Sequence, residues 1–210
     1  MRTLLVAALA AWLTPSLTAS GWNQAYFAAT KPGSFATTRT GSNVALPYSS
    51  TLTRLPDENG QIVIENKLVF NDRTTPPTTS RYVLAKGFDA DHNLIDYMKG
   101  LVASRYAMGA STTFQDLPAA AIDAMKQMPT YAENAAFKGT ETIAGKPCDH
   151  YTYTRSAKGD AQLLTGEVWL NPSVPFGVVK ETTKTTDAAT GKVVAMTESV
   201  LVDSGTKPLK

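Results

Sequence analysis

One cysteine, two histidines, no excess of charge and a single long apolar run mark this 210-residue chain, and each shortage excludes something. With Cys148 alone, no intramolecular disulfide and no multi-cysteine metal site can form, so stability must come from packing. A lone thiol of this kind is read as a small buried hydrophobe, with an intermolecular or reactive thiol as the alternative. Twenty Lys and Arg against 18 Asp and Glu, with no basic stripe, exclude a nucleic-acid binder and an electrostatic membrane binder. Neither His92 nor His150 lies in a nucleophile motif such as G-x-S-x-G. There is no H-E-x-x-H, no C-x-x-C, no calcium-spaced acidic loop and no glycine-rich phosphate loop. No cofactor and no metal are therefore expected, and a non-enzymatic protein is.

Two weaker chemical readings remain. Cys148 and His150, two apart on a strand, share a face and offer a thiolate–imidazolium geometry; the default is an ordinary strand face. Asp89, Asp91 and His92 cluster, but Asp91 is wanted as a helix cap.

The one long apolar run, Leu4 to Leu13, is about half of the roughly 20 residues that cross a bilayer. Preceded by Arg2 and followed by Pro15 and small residues, it reads as a secretory signal peptide over residues 1–20, cleaved after Ser20. No cysteine near the cut could carry an acyl anchor. The expected product is a periplasmic protein, soluble and not membrane-anchored, whose residues 21–210 form a single domain.

What is abundant is strand pattern. From Ser34 come SFATTRT and YSSTLTRLP, then the turn DENG, where Asn59 and Gly60 tolerate the positive φ of a tight hairpin, then QIVIENKLVF. In this last segment Ile62, Ile64, Leu68 and Phe70 share a face interrupted only by Asn66. NDRTTPPTTS is a loop because of Pro76 and Pro77, and SRYVLAKG a further strand. The middle changes period. DADHNLIDYMKGLVAS spaces Leu94, Ile95, Met98, Leu101 and Val102 as an amphipathic helix capped by Asp91, with Gly100 as a weak point. A second helix is expected from an Asp116 N-cap, with Pro118 in its first turn, to Pro129, its stripe being Leu117, Ala121, Met125 and Met128. Five strands follow, from FKGTETIAG to KVVAMTESVLVD, divided by short turns. Strands, then helices, then strands mean α+β with an antiparallel meander.

Such a sheet, curved over one or two helices, either fills the intervening space with core or leaves a cavity for an apolar ligand. Ile64, Met98, Met125, Met128 and Trp169 are the candidate lining residues, equally suited to an ordinary core. In the last strand Glu198 shares the even-numbered face with Val194, Met196, Val200 and Val202, so it either faces solvent or is a carboxylate turned inward.

GTETIAGKPCDHYTY, GEVWLNPSVPFGVVKETT and GKVVAMTESVLVD, with Gly139, Gly145 and Cys148 about one hairpin, Gly166 and Val168-Trp169 in a strand, Pro175 before the next and Gly191 at a turn, carry a resemblance. They resemble the C-terminal strands of the periplasmic lipoprotein-carrier-like superfamily, which includes the outer-membrane lipoprotein carrier and the lipid-sensing anti-sigma-factor regulator. The resemblance covers Phe137 to Asp203. It implies a strongly curved antiparallel sheet, an open half-barrel covered by helices, whose cavity receives acyl chains or whose surface binds a protein. The N-terminal half departs from the carrier pattern, with no amphipathic N-terminal helix of that kind, so no ligand-contacting residue is carried over. The expectation is a lipid or acyl-chain ligand, with an envelope protein partner acting on a filled-core module as the alternative.

Overall fold

In a computed structural model, residues 24–27, 29–72, 74–88, 94–127, 135–155 and 160–208 are described. The signal-peptide reading and the Asp89–Asp91–His92 cluster lie outside them.

Eleven strands form one antiparallel sheet: β1 (Ser34–Ser42), β2 (Tyr48–Arg54), β3 (Val63–Phe70), β4 (Thr78–Leu84), β5 (Leu101–Met108), β6 (Gln115–Asp116), β7 (Ala136–Ile143), β8 (Lys146–Thr154), β9 (Gln162–Leu170), β10 (Val178–Asp187) and β11 (Val193–Thr206). Their spatial order is β6-β5-β4-β3-β2-β1-β11-β10-β9-β8-β7. The sheet does not close, since β6 and β7 stay at opposite edges, and the first and last strands meet at its centre. Among the described residues one α-helix, α1 (Ala119–Lys126), and two 3-10 segments, Gln24–Phe27 and Leu94–Gly100, accompany it. This is the expected α+β class with an open curved sheet.

The turns follow the sequence signals. Asn59 and Gly60 take φ of 54° and 77° in a tight turn that brings Glu58 opposite Gln61. The Pro76-Pro77 loop ends where β4 begins at Thr78.

The helices differ from expectation. In place of a helix from Asp91 through Val102, a 3-10 segment ends at Gly100, interrupted by the non-helical φ/ψ of Asp96. The Phe88 ring lies against Gly100, where a Cβ would come within 2.4 Å. Beyond it, Leu101 pairs with Leu84, so β5 captures the apolar residues that completed the helical period. Asp116 is likewise no helix cap: it pairs with Arg105 as part of β6, and Pro118 occupies the N-cap position. On α1, Ile122 and Met125 pack toward the core and no residue is fully buried.

The main core covers one face of the sheet, here called inner. It joins Ile64, Tyr82, Leu84 and Leu101 with Tyr151, Tyr153, Val168 and Leu170, and Tyr26, Phe27, Phe88 and Phe176 pack into it from the connections. On a flat sheet β4 and β8 would stand roughly 33 Å apart, seven spacings of about 4.8 Å. One core cluster nevertheless holds Tyr82 and Leu84 of β4 together with Tyr151 and Tyr153 of β8, as a curled sheet does. Polar groups on the inner face pair across strands, Ser50 donating to Asn66 at 2.8 Å and Thr40 meeting Ser199 at 2.8 Å.

Near β7 to β9 the outer face is covered as well. Cys148, Trp169, Val174 and Val179 form a second cluster under the connection between β9 and β10. That is why Cys148 is fully buried although the Tyr151 and Tyr153 rings face the other way.

Candidate functional site

The strand register places a grid of side chains on the outer face. Gly41 stands opposite Glu198, Glu198 opposite Thr182, Thr182 opposite Glu167, and Glu167 opposite Thr152. One step toward the strand ends, Met196, Lys184, Thr165 and Thr154 make a second row. In the other direction a third row runs Arg39, Val200, Lys180, Trp169 and His150.

A groove of about 680 Å³ follows the first two rows across β1, β11, β10, β9 and β8, with Asn43 at its end. Four strand spacings make its path about 19 Å long. Small side chains open it: at Gly41 a Cβ would meet nothing within 4 Å, and Thr152, Thr154, Thr165 and Thr182 line the rows. Its volume lies in the range of small-molecule sites.

One rim is apolar. Leu163, Val193, Val194 and Met196 are exposed there. Asn43 ties the loop after β1 to β11, its N–H donating to the Met196 carbonyl at 3.3 Å and its Oδ1 accepting from the Met196 N–H at 2.8 Å. That loop presents Val44 and Leu46 to solvent.

The opposite wall is polar and internally paired. Lys180 Nζ lies 2.9 Å from Glu198 Oε2 and 5.3 Å from the centroid of the Trp169 ring. The His150 ring stacks on Trp169 at 4.4 Å and 11°. Its Nδ1 is 2.9 Å from Glu141 Oε1 and its Nε2 3.1 Å from Glu167 Oε2. The Trp169 indole N–H donates to Glu141 Oε2 at 3.0 Å, and this bond first, with His150 adding to it, holds the Glu141 carboxyl below its usual range. Lys184, in the second row, has no ion-pair partner among the described residues.

Of the residues singled out in sequence, Ile64, Met98 and Met125 belong to the inner face, Ile64 fully buried in the main core and both methionines packed against that core. Trp169 stands apart from them on the outer face, where it forms the wall beside the groove. Met128 lies outside the described residues. Cys148 and His150 have separate partners: the thiol donates to the Lys146 carbonyl at 3.3 Å and is pushed up by burial, while the imidazole turns to the two glutamates. Among the described residues no group of three His, Cys, Asp or Glu is placed to hold a metal. Glu198 faces solvent, and bulges set Val194 and Val202 out of step with its face.

Sequence reasoning passed over Gly41, Glu167, Thr182 and Lys184. The signal available was two of the glycines inside strands, Gly41 and Gly166, which mark thin places in a sheet.

Fold and site together define a class: an α+β protein built on an open curved sheet, with a packed inner face and a grooved outer one. No family model and no curated protein matches the chain. Among solved structures it is similar to MucB at 14% identity and a TM-score of 0.46, over 93% of this chain and 61% of that one. It therefore spans less than two thirds of the MucB chain. It is also similar to an outer membrane lipoprotein-sorting protein domain from Vibrio parahaemolyticus, at 12% identity and a TM-score of 0.32 over 83% and 85% of the two chains. A LolA superfamily protein from Nitrosomonas europaea matches at 10% identity and a TM-score of 0.31, over 93% and 96%.

Proposed function

We propose that this is a non-enzymatic binding protein of the periplasm, which takes up a lipid or similar apolar group in the groove on the outer face of its sheet. The observation that carries the reading is the groove itself: a 680 Å³ trough floored by Gly41 and threonines, open along one side and bordered by exposed Leu163, Val193 and Met196. An apolar chain laid there would cover surface that is otherwise unfavourably wet. On the inner face Met98 and Met125 pack against the core that contains Ile64. A resemblance to proteins of lipoprotein sorting agrees with a lipid-type ligand and with the periplasm.

The test uses the purified chain, extracted with solvent for mass spectrometry and then titrated, after delipidation, with a fluorescent acyl probe. Co-purifying acyl chains and saturable binding at one site, lost in Gly41→Phe, are expected. A sample that yields no fatty material and binds no probe at a defined stoichiometry would sink the reading.

A second reading is favoured by the rim. Val44, Leu46 and Met196 project beyond the groove and fit a surface for an envelope protein partner. A photo-crosslinker at Leu46 that labels one protein in cells and no lipid would favour it over the first.

A further inference from the structure

We propose that His150 is a proton-operated catch on the groove wall, admitting a single-chain amphiphile with an anionic head when its ring is charged and disfavouring that ligand when it is neutral. The inference rests on the reading of the groove as a binding site.

The two ring nitrogens of His150 face one carboxylate each, at 2.9 and 3.1 Å. An ionised carboxylate only accepts hydrogen bonds, so both contacts are bonds only when both nitrogens carry hydrogen, as in the imidazolium. With the side chain only 12% exposed and stacked on Trp169, water has little room to substitute for either partner. The charged groups about the ring come from four strands: Glu141 on β7, Glu167 on β9, Lys180 on β10 across the Trp169 ring, and Glu198 on β11 paired with Lys180. Asp149, next to His150 in sequence, points to the inner face, where the Tyr26 hydroxyl donates to it.

In the charged state His150 and Lys180 offset two of the three wall carboxylates, and Glu141 is held by the Trp169 N–H together with the His150 ring. Facing the groove, His150 holds Glu167, Lys180 holds Glu198, and Lys184 is left as the cation with no ion-pair partner among the described residues. An apolar tail in the trough with its anionic head at Lys184 satisfies that arrangement.

Loss of the proton leaves one N–H for two acceptors. Glu141 is fastened a second time, through Oε2, by the Trp169 indole, so the bond retained is Nδ1–H to Glu141. The lone pair on Nε2 then faces Glu167, whose side chain is 47% exposed and able to turn. It turns into the groove, because its place in the first row lies between Thr182 and Thr152. There it stands diagonal to Lys184, which is opposite Thr165, two residues before Glu167. The released carboxylate both repels an anionic head and occupies the cation that would have received it.

Decanesulfonate, charged at every pH, is the probe, with decyltrimethylammonium as the comparison, at about pH 5.5 and about pH 8.5, on either side of the histidine range. The wild-type chain should bind the sulfonate roughly three- to tenfold more weakly at the higher pH, with no such loss for the ammonium. Glu167→Gln should bind it equally at both. Ring nitrogen shifts, assigned to His150 by comparison with His150→Gln, should show two protonated nitrogens at the lower pH and the Nδ1–H tautomer at the higher. Equal sulfonate affinity at both pH values in the wild type, or an Nε2–H tautomer, overturns the catch. If neither amphiphile binds at either pH, the binding reading fails and the catch falls with it, whereas sulfonate bound equally at both pH values removes the catch and leaves the binding reading standing.

Discussion

The phenol ring of Tyr153 on β8 lies on Gly166 of β9, so close that a methyl group at Gly166 would fall within 2.4 Å of the ring carbon and hydroxyl. Its hydroxyl continues to Glu181 on β10, so one side chain spans three strands of the inner face. Gly166→Ala would also meet the Thr182 carbonyl at 2.6 Å, leaving the sheet no direction in which to yield. The expected cost is roughly 1–3 kcal/mol. Urea unfolding checks it, with a lower midpoint at unchanged slope as the expected result.

Gly41 is the opposite case. Space above it is open, so Gly41→Leu should change stability by less than about 0.5 kcal/mol while filling the end of the groove. Thermal unfolding alongside acyl-probe titration separates the two effects; a variant that melts early, or one that still binds, contradicts the expectation.

Tyr26 fastens the segment before β1 to β8, donating to Asp149 and meeting the Tyr151 hydroxyl at 3.1 Å, with its own ionisation pushed up chiefly by burial. Tyr26→Phe leaves the Asp149 carboxylate one donor short and should cost about 1–3 kcal/mol. Hydrogen exchange should quicken over residues 26–30 before it does in the central strands.

Burial raises the Cys148 thiol above its ordinary range. The protonated form is favoured in the folded chain, so its contribution to stability is complete below the unfolded thiol range and fades as pH rises through the folded one. Alkylation by iodoacetamide should therefore proceed at the rate of unfolding near neutrality; rapid labelling of native protein would contradict the buried geometry.

Asp187 caps the turn into β11, accepting from the backbone N–H and the hydroxyl of Thr190 at 2.7 Å each, and the Thr190 hydroxyl is the first cause of its lowered pKa. Its contribution is present above the ordinary carboxylate range and lost as pH falls through the depressed value. Thr190→Val should weaken that acid dependence, read as a smaller loss of melting temperature between about pH 5 and about pH 3 than the parent shows.

Strand positions were legible because each strand carries its own alternation and its own turn residues; β9 runs over the QLLTGEVWL segment read as a strand. The helical middle was less so. Leu101 and Val102 keep a helical period with Leu94 and Met98, yet pairing with β4 outweighs it once Phe88 packs on Gly100. The groove was hardest to foresee, since it exists only in the register of five strands. Thr182, Glu167 and Gly41 are ordinary solvent-face residues in any one strand, and only their alignment makes a surface. As an aromatic residue Trp169 suits a pocket by sequence alone, but its place depends on the His150 and Glu141 that β8 and β7 bring to it.

The pairing of β1 with β11, from Ser34 opposite Thr206 to Ser42 opposite Thr197, puts the seam of the sheet at its middle. Each half can zip from its own hairpins, β1 to β5 in one and β7 to β11 in the other, but neither half gains its central neighbour until the final strand has been made. Such a chain remains divided for as long as it is being synthesised. Joining the halves is a late event of long contact order, and slow folding is the kinetic signature of that architecture.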